Sequence, residues 1–337
     1  MASAKGIGLA RVAEAAGVTT ATVSNVINRP HLVAPATQAK VHAAMAELDF
    51  VPNRAASTLR KGYSRLLGVV VPEVLNPFYA AITEAIADAA SRQGYAVALC
   101  VSHDDAALER EQLEMLAEHR VAGVLLVPRA ATGTQLRQLR MVGARLVLVD
   151  RLVDDEDGCS VVIDDVAGGR LAAEHLLDSQ PSGTITLVNG PLTLPQCVDR
   201  RNGVLAELDA RGLSRDLLVE FESPTMTVED GVRIGHLLAA SPAPRQIFCT
   251  NDQLAIGVIR GLRAEGLKVP DDALIVGYGD LELATEGDVP LTTIAQPKHD
   301  MGERAVERML AEIAEGPAHH HSVTVLEPTL VIRESAP

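Results

Sequence analysis

Short apolar runs alternate with longer segments of helical period twice along this chain, and that rhythm leaves few folds open. From Leu66 the runs LLGVVVP, YAVALCV, VAGVLLVP and ARLVLVD are separated by helical patterns at 78–93, about 105–119 and 133–142. A second series opens at VVID (161–164). It runs through a helix at 166–178, TITLVNG, a helix at 198–211, LLVEF, a helix at 228–240, QIFCT, a helix at 253–265 and LIVGY. LTTIA, a last helix at about 299–315 and the β-rich tail SVTVLEPTLVIRE close the chain. Apolar strands joined by helices form parallel sheets buried on both faces. With 47% apolar residues but only 2% aromatics, the core must be Ala, Val, Leu and Ile between helix and sheet. Two such series predict two doubly wound α/β lobes. Their ligand cleft belongs outside the carboxyl ends of the strands.

The amino-terminal segment has another texture. Residues 1–62 carry seven basic residues against three acids, a net of +4, whereas the whole chain carries −14; the remainder therefore carries −18. A basic head on an acidic body can hold a phosphate backbone, because its field is local and screened over about 10 Å. Leu9, Val12, Ala13 and Ala16 share one face of a first helix, which Gly17 ends in the left-handed conformation. Thr19 is placed to cap a second helix, about Thr20 to Ile27, with Val23 and Val26 inward. Pro35-Ala36-Thr37 opens a third, with Val41, Ala44, Met45 and Leu48 at core spacing. Pro52 breaks the chain, Asn53 can cap a short polar helix from Arg54 to Lys61, and Gly62 and Ser64 read as a linker. Helix, glycine turn, helix at this spacing is either a helix-turn-helix or an ordinary small three-helix core. The outer face of the middle helix favours the first. Thr20, Ala21, Ser24 and Asn25 are short enough to enter a major groove. Asn can pair with adenine edges, an alanine methyl can meet a thymine methyl, and the hydroxyls of Thr19 and Ser24 suit phosphates.

Several function classes are excluded at this level. No 18-residue apolar window predicts a transmembrane helix, and MASAKGIGLARVAEAAG has no long apolar leader, so a cytoplasmic protein is expected. Cys100, Cys159, Cys197 and Cys249 are scattered without CxxC spacing, as reduced thiols would be. No GxGxxG follows a strand; Gly168-Gly169 lies in an early helix turn. No nucleophile–base pair is evident, so no enzyme, cofactor or metal centre is expected. The run His319-His320-His321 reads as a solvated polar loop, with adventitious metal binding as the other reading.

LARVAEAAGVTTATVSNVIN resembles the head of the LacI/GalR family of bacterial transcriptional regulators. VAPATQAKVHAAMAELDFVPNRAASTLRKG resembles that family's third helix and hinge, and NPFYAAITEAIADAASRQGY, NDQLAIGVIRGL, VPDDALIVGY and PLTTIAQP resemble its core. The likeness runs in order through residues 7–334. It implies an all-α helix-turn-helix DNA-binding head (1–52) and a hinge helix and linker (53–64). An α/β periplasmic-binding-protein-like core (65–337) follows, its first lobe at about 65–162 and 294–322 and its second at about 163–293 and 323–337. The implied protein is a homodimeric repressor on a near-palindromic operator, with a small-molecule effector, a sugar or related metabolite, between the lobes. A solute-binding protein of a transport system shares the two-lobed fold but gives residues 1–62 no role. By resemblance, Thr20, Ala21 and Asn25 read bases, and Leu59 wedges into the minor groove. Asn53 and Arg54 belong to the same hinge. Asn25 stands where relatives commonly have Arg, which moves the expected preference from guanine towards adenine.

The same resemblance places effector contacts on Asn76, Phe78, Arg200, Asn251 and Gln296, with Tyr79, Asp150, Leu194, Gln196 and Met226 as further lining. Arg200 beside Asp199 and Arg201 can instead form a surface ion pair, and Asn251 can simply cap the following helix. Relatives often read GYDD where this chain has Gly277-Tyr278-Gly279-Asp280. Either Asp280 supplies the missing acceptor from a shifted position, or the ligand lacks the usual hydroxyl pair.

Overall fold

A computed structural model of the chain describes residues 8–50, 64–128, 136, 140, 145–151, 158–179, 184–241, 245–287 and 289–337. The hinge residues Asn53, Arg54 and Leu59 lie outside the described residues, as does most of the helix expected at 133–142. The chain divides into two compact units, Met1–Arg65 with Glu118–Ala122, and Leu66–Ala117 with Gly123–Pro337.

In the first unit, α1 (Leu9–Ala16) ends where expected. Gly17 sits at φ 65°, ψ 36°; its amide donates to the Glu14 carbonyl and the Val18 amide to that of Ala13, at 3.2 and 2.9 Å. This is the double bond of a left-handed helix stop, which a Cβ would strain. Two residues on, the Thr19 hydroxyl accepts the Thr22 amide at 3.1 Å and starts α2 (Thr20–Asn28). α3 (Pro35–Glu47) opens on proline, whose missing amide costs nothing in a first turn. Val12, Ala13, Val23, Val26, Val41, Ala44 and Met45 form the core of the three helices. Small side chains let these short helices approach closely.

The second unit holds two six-stranded sheets. Strands β1 (Leu66–Val71), β2 (Ala96–Val101), β3 (Gly123–Leu126), β4 (Leu146–Val149), β5 (Cys159–Ile163) and β11 (Val323–Leu326) form the first, in the order β11-β5-β4-β3-β1-β2, all parallel. The second contains β6 (Ile185–Asn189), β7 (Leu218–Glu222), β8 (Gln246–Cys249), β9 (Leu274–Gly279), β10 (Thr292–Ala295) and β12 (Thr329–Val331). Its order is β12-β10-β9-β8-β6-β7, parallel except for β12 against β10. Helices α4 (Pro77–Arg92), α5 (Ala106–Glu118) and α11 (Lys298–Glu315) accompany the first sheet. Those of the second are α6 (Asp165–Ser179), α7 (Pro195–Ala210), α8 (Val228–Ala240) and α9 (Asp252–Ala264), with the short α10 (Leu283–Glu286). The doubly wound architecture is as expected.

The assignment of segments to lobes needs correcting. VVID does not open the second series: Val161–Ile163 complete β5, inside the first sheet. Ile294 and Ala295, expected in the first lobe, pair with β9 in the second sheet. The strand at 323–326, expected in the second lobe, adds in parallel to β5 of the first. The reason lies in α11. It packs along α4, with Gly302 against Ala85 and Met309 over Gly123. The chain therefore leaves α11 beside the first sheet, lays β11 on its free edge, and only then crosses to β12.

Candidate functional site

Two surfaces gather the expected residues. On α2, Thr20, Ala21 and Asn25 are exposed, Ser24 is half-buried, and Val23 and Val26 face the core. Thr19 is exposed, with its hydroxyl engaged as the cap and 2.9 Å from the Thr22 hydroxyl. The helix thus presents a polar, sterically low face, held by its apolar one.

In the second unit a cavity of about 490 Å³ lies between the lobes. Asn76, Phe78, Tyr79, Asp150, Leu194, Gln196, Arg200, Met226, Asn251 and Gln296 all line it. They come from the carboxyl ends of strands in both sheets or from the first two turns of the helices that follow. Helix starts carry much of it. Asn76 caps α4 by accepting the Phe78 amide at 3.0 Å, and the Phe78 ring meets Tyr79 edge-on at 5.3 Å. Asn251 does cap α9, accepting the Leu254 amide at 2.7 Å, while its Nδ2 donates to the Met226 carbonyl at 2.9 Å. A side-chain amide has two donors and two acceptor positions, so capping leaves half of this one for a ligand. Gln196 and Arg200, one turn apart on α7, project into the same space.

Arg200 is not in a surface pair. It is 7% exposed; its Nε donates to Asp165 Oδ1 at 2.9 Å and its Nη1 to the Thr250 carbonyl at 2.6 Å. Its guanidinium stacks 3.7 Å from the centroid of the Tyr278 ring, whose hydroxyl also donates to Asp165 Oδ1, at 2.6 Å. Burial opposes the charge, but Asp165 and Tyr278 more than offset it and hold the guanidinium above its ordinary pKa. Burial first, then Asp165, raises the Tyr278 phenol. The planar fork is therefore locked before any ligand arrives. Asp165 and Tyr278 were not anticipated as partners. The available signal was an acid beside the carboxyl end of a strand.

The rim at 223–227 is braced from behind. Asp230 Oδ2 accepts from the Ser223 hydroxyl at 2.7 Å and from the Thr225 amide and hydroxyl at 2.9 and 2.8 Å. These bonds, that of Ser223 foremost, hold its carboxyl at about 2. They position Thr225, Met226 and Thr227, further lining that sequence reading caught only at Met226. Glu73, Asp104 and Gln253 also line the cleft and were missed.

Asp280, expected as one source of the missing acceptor, is engaged elsewhere. Gly279 at φ 136° and Asp280 at φ 49° turn the chain, and Asp280 is absent from the cleft lining. Its carboxylate pairs with Arg333 at 2.6 Å, a partner 53 residues away on the chain's final segment. Lys298 reaches back to the Gly279 and Asp280 carbonyls.

Between Asn251 and Gln253, Asp252 points inward and is fully buried. It accepts the Leu281 amide at 2.8 Å and the Thr293 hydroxyl at 2.6 Å. Burial raises its carboxyl above the ordinary 3.8, against the pull of those two donors. The folded state thus keeps this proton to higher pH than the unfolded chain. The group's contribution to stability falls as pH rises from about 4 through the folded value. Asp252→Asn should remove that slope. In urea titrations the variant is expected to match or exceed the parent at pH 8 and lose its advantage towards pH 4. A loss of more than about 1 kcal/mol at pH 8 would mean that an ionised carboxylate is needed there.

Comparison with known proteins agrees with this geometry. Residues 9–53 match the model of bacterial regulatory proteins of the lacI family, and residues 172–336 that of a periplasmic binding protein-like domain. The chain is 32% identical over 327 residues to the HTH-type transcriptional repressor PurR of Aliivibrio salmonicida (strain LFI1238), covering 96% of this chain and 97% of that one. Among solved structures it is similar to a lac repressor dimer bound to operator and the anti-inducer ONPF. That pair has a TM-score of 0.85 and 28% identity, over 98% of this chain and 99% of the other. A complex of the transcriptional regulator CelR with cellobiose gives 0.71 and 31%, with coverage of 98% and 99%. No helix among the described residues is long and apolar enough to cross a membrane.

Proposed function

The chain belongs to the lacI family of bacterial regulatory proteins, and on that premise we propose a homodimeric repressor whose hold on operator DNA is set by a small molecule in the interlobe cleft. One observation carries the proposal. Residues named from sequence as effector contacts, scattered from Asn76 to Gln296, converge on one cavity in a chain that also carries an exposed helix-turn-helix face. The head sets this reading apart from a transport binding protein. PurR and the lac repressor are repressors, which supports a chain that acts by binding rather than by turnover.

The charges of the cleft indicate the ligand class. Among the described residues that line it, the cation is Arg200, already neutralised by Asp165, and Glu73 adds an acid. An added carboxylate or phosphate would meet net negative potential. Carboxylates and amides suit hydroxyls, and Phe78 and Tyr79 offer an apolar face. The effector is a neutral, hydroxyl-rich molecule, as is the cellobiose in the CelR complex. A thermal-shift panel on the full-length protein should include neutral sugars, nucleosides, sugar phosphates and carboxylates. A neutral compound should raise the melting temperature and change retention of a selected genomic fragment. Shifts from anions alone would reject the ligand class. No preference for any genomic fragment over random duplex would reject the regulator.

Thr20, Ala21 and Asn25 read base edges in this proposal, with Thr19 and Ser24 at phosphates and the hinge residues Asn53, Arg54 and Leu59 at the operator centre. Asn25→Ala is expected to cost about 1–3 kcal/mol on the preferred operator and little on random DNA, compared at one salt concentration. Equal losses on both would remove base reading from Asn25.

A further inference from the structure

The histidine run is not the uniform solvated loop its composition suggests. His320 and His321 are exposed, but the His319 side chain is only 5% exposed. The register of β11 on β5 pairs Val323 with Ser160, and the Ser160 amide donates to the Ser322 carbonyl at 3.1 Å. That pairing draws the loop after α11 alongside Cys159, which is fully buried. His319 Nε2 lies 3.2 Å from Cys159 Sγ and His321 Nδ1 lies 3.9 Å from it. All three atoms fall within 4.8 Å of one another. On its far side, His319 Nδ1 is 2.8 Å from Glu315 Oε2, one helical turn back. A carboxylate there accepts a hydrogen bond from Nδ1–H and so leaves the Nε2 lone pair facing the sulfur, as outer carboxylates do for metal-ligating imidazoles.

A thiol–imidazole hydrogen bond accounts for Cys159 with His319. It does not account for a second imidazole converging on the same sulfur. Tetrahedral zinc, with Zn–S about 2.3 Å and Zn–N about 2.0–2.1 Å, would set sulfur and nitrogen about 3.6 Å apart. The two observed separations straddle that value. Arg140, whose guanidinium lies against Gly158, is the nearby opposing charge. Glu312, a further turn back on α11, answers it with a carboxylate whose buried Oε2 has no hydrogen-bond partner among the described residues.

We propose that Cys159, His319 and His321 form a zinc site with an open fourth position for solvent. Thiolate with two imidazoles is a borderline-soft donor set that suits Zn²⁺ over hard cations such as Mg²⁺ or Ca²⁺. The site ties the loop between α11 and β11 to the amino end of β5. It lies at the opposite end of that strand from the cleft, so zinc and effector should bind together.

Untagged full-length protein, stripped with chelator, is the material for the test. One equivalent of Co²⁺ should give visible bands of tetrahedral intensity and a near-ultraviolet thiolate band, both displaced by Zn²⁺. Cys159→Ser should lose the thiolate band. His321→Ala, at an exposed position that leaves folding intact, should weaken zinc binding by at least about tenfold, and Glu315→Gln by about tenfold. His320→Ala should bind as the parent does. Absence of the thiolate band in the parent, or unchanged zinc affinity in both Cys159→Ser and His321→Ala, would overturn the site and leave only a thiol–imidazole contact.

Discussion

Arg200→Ala is expected to lower the stability of the core by about 3–5 kcal/mol, because it strands a buried carboxylate rather than trimming a surface ion pair. Asp165 is itself 9% exposed and would keep only the Tyr278 hydroxyl among the partners described above. The Thr250 carbonyl would lose its guanidinium donor, and the Tyr278 ring its cation. Effector response should vanish together with this stability, and the two losses can be separated. Replacing both charges, Arg200→Met with Asp165→Leu, should recover much of the stability, since a buried pair exchanged for apolar residues of similar size is often neutral. It should recover none of the response, because the fork that faces the cleft is gone. Chemical denaturation reads the first effect and ligand-induced thermal shift the second. A double variant that still responded to ligand would remove Arg200 from the site.

Gly169→Ala is expected to destabilise by about 2–3 kcal/mol, although alanine is the better helix former by about 1 kcal/mol. Gly169 on α6 and Gly203 on α7 are the points where these two helices touch backbone to backbone. A Cβ on Gly169 would stand 2.0 Å from the Arg200 carbonyl oxygen and 2.9 Å from its Cα, and one on Gly203 would stand 2.2 Å from the Val166 carbonyl oxygen. Backbone cannot rotate aside as a side chain can, so α7 must move away. With it go Gln196 and Arg200, and effector affinity should fall by about tenfold, the worth of one lost hydrogen bond. Denaturant midpoint and ligand titration on the same variant measure both. A stable Gly169→Ala with unchanged affinity would show that α7 can yield there without disturbing the cleft.

Both variants act on features that lay beyond sequence reading, although the helices that carry them were legible. Apolar period located α7 and α9 to within a few residues, and Gly17 and Thr19 stopped and started the head helices as their local chemistry requires. These signals act over one helical turn and survive in one dimension. The same is true of the outward face of α2, which follows once Val23 and Val26 are known to point inward.

Sequence alone therefore determined the two unlike units and the βα rhythm of the larger one, and the family resemblance it carries named many of the polar residues around the cleft. Tertiary structure decided what those residues do with their bonds. Arg200 was legible as a cleft residue, but its partners Asp165 and Tyr278 lie 35 residues before it and 78 after, and no local period links them. Asp280 was one of two readings for the missing acceptor, and only the fold shows that Arg333 holds its carboxylate. β11 changed lobes because α11 delivers it to the open edge of β5, and that same pairing sets His319 and His321 beside Cys159. The physical division is one of range. Helix caps and apolar faces are settled by neighbours within about four residues. Strand partners and buried charges are settled by whichever segment the rest of the fold leaves nearest.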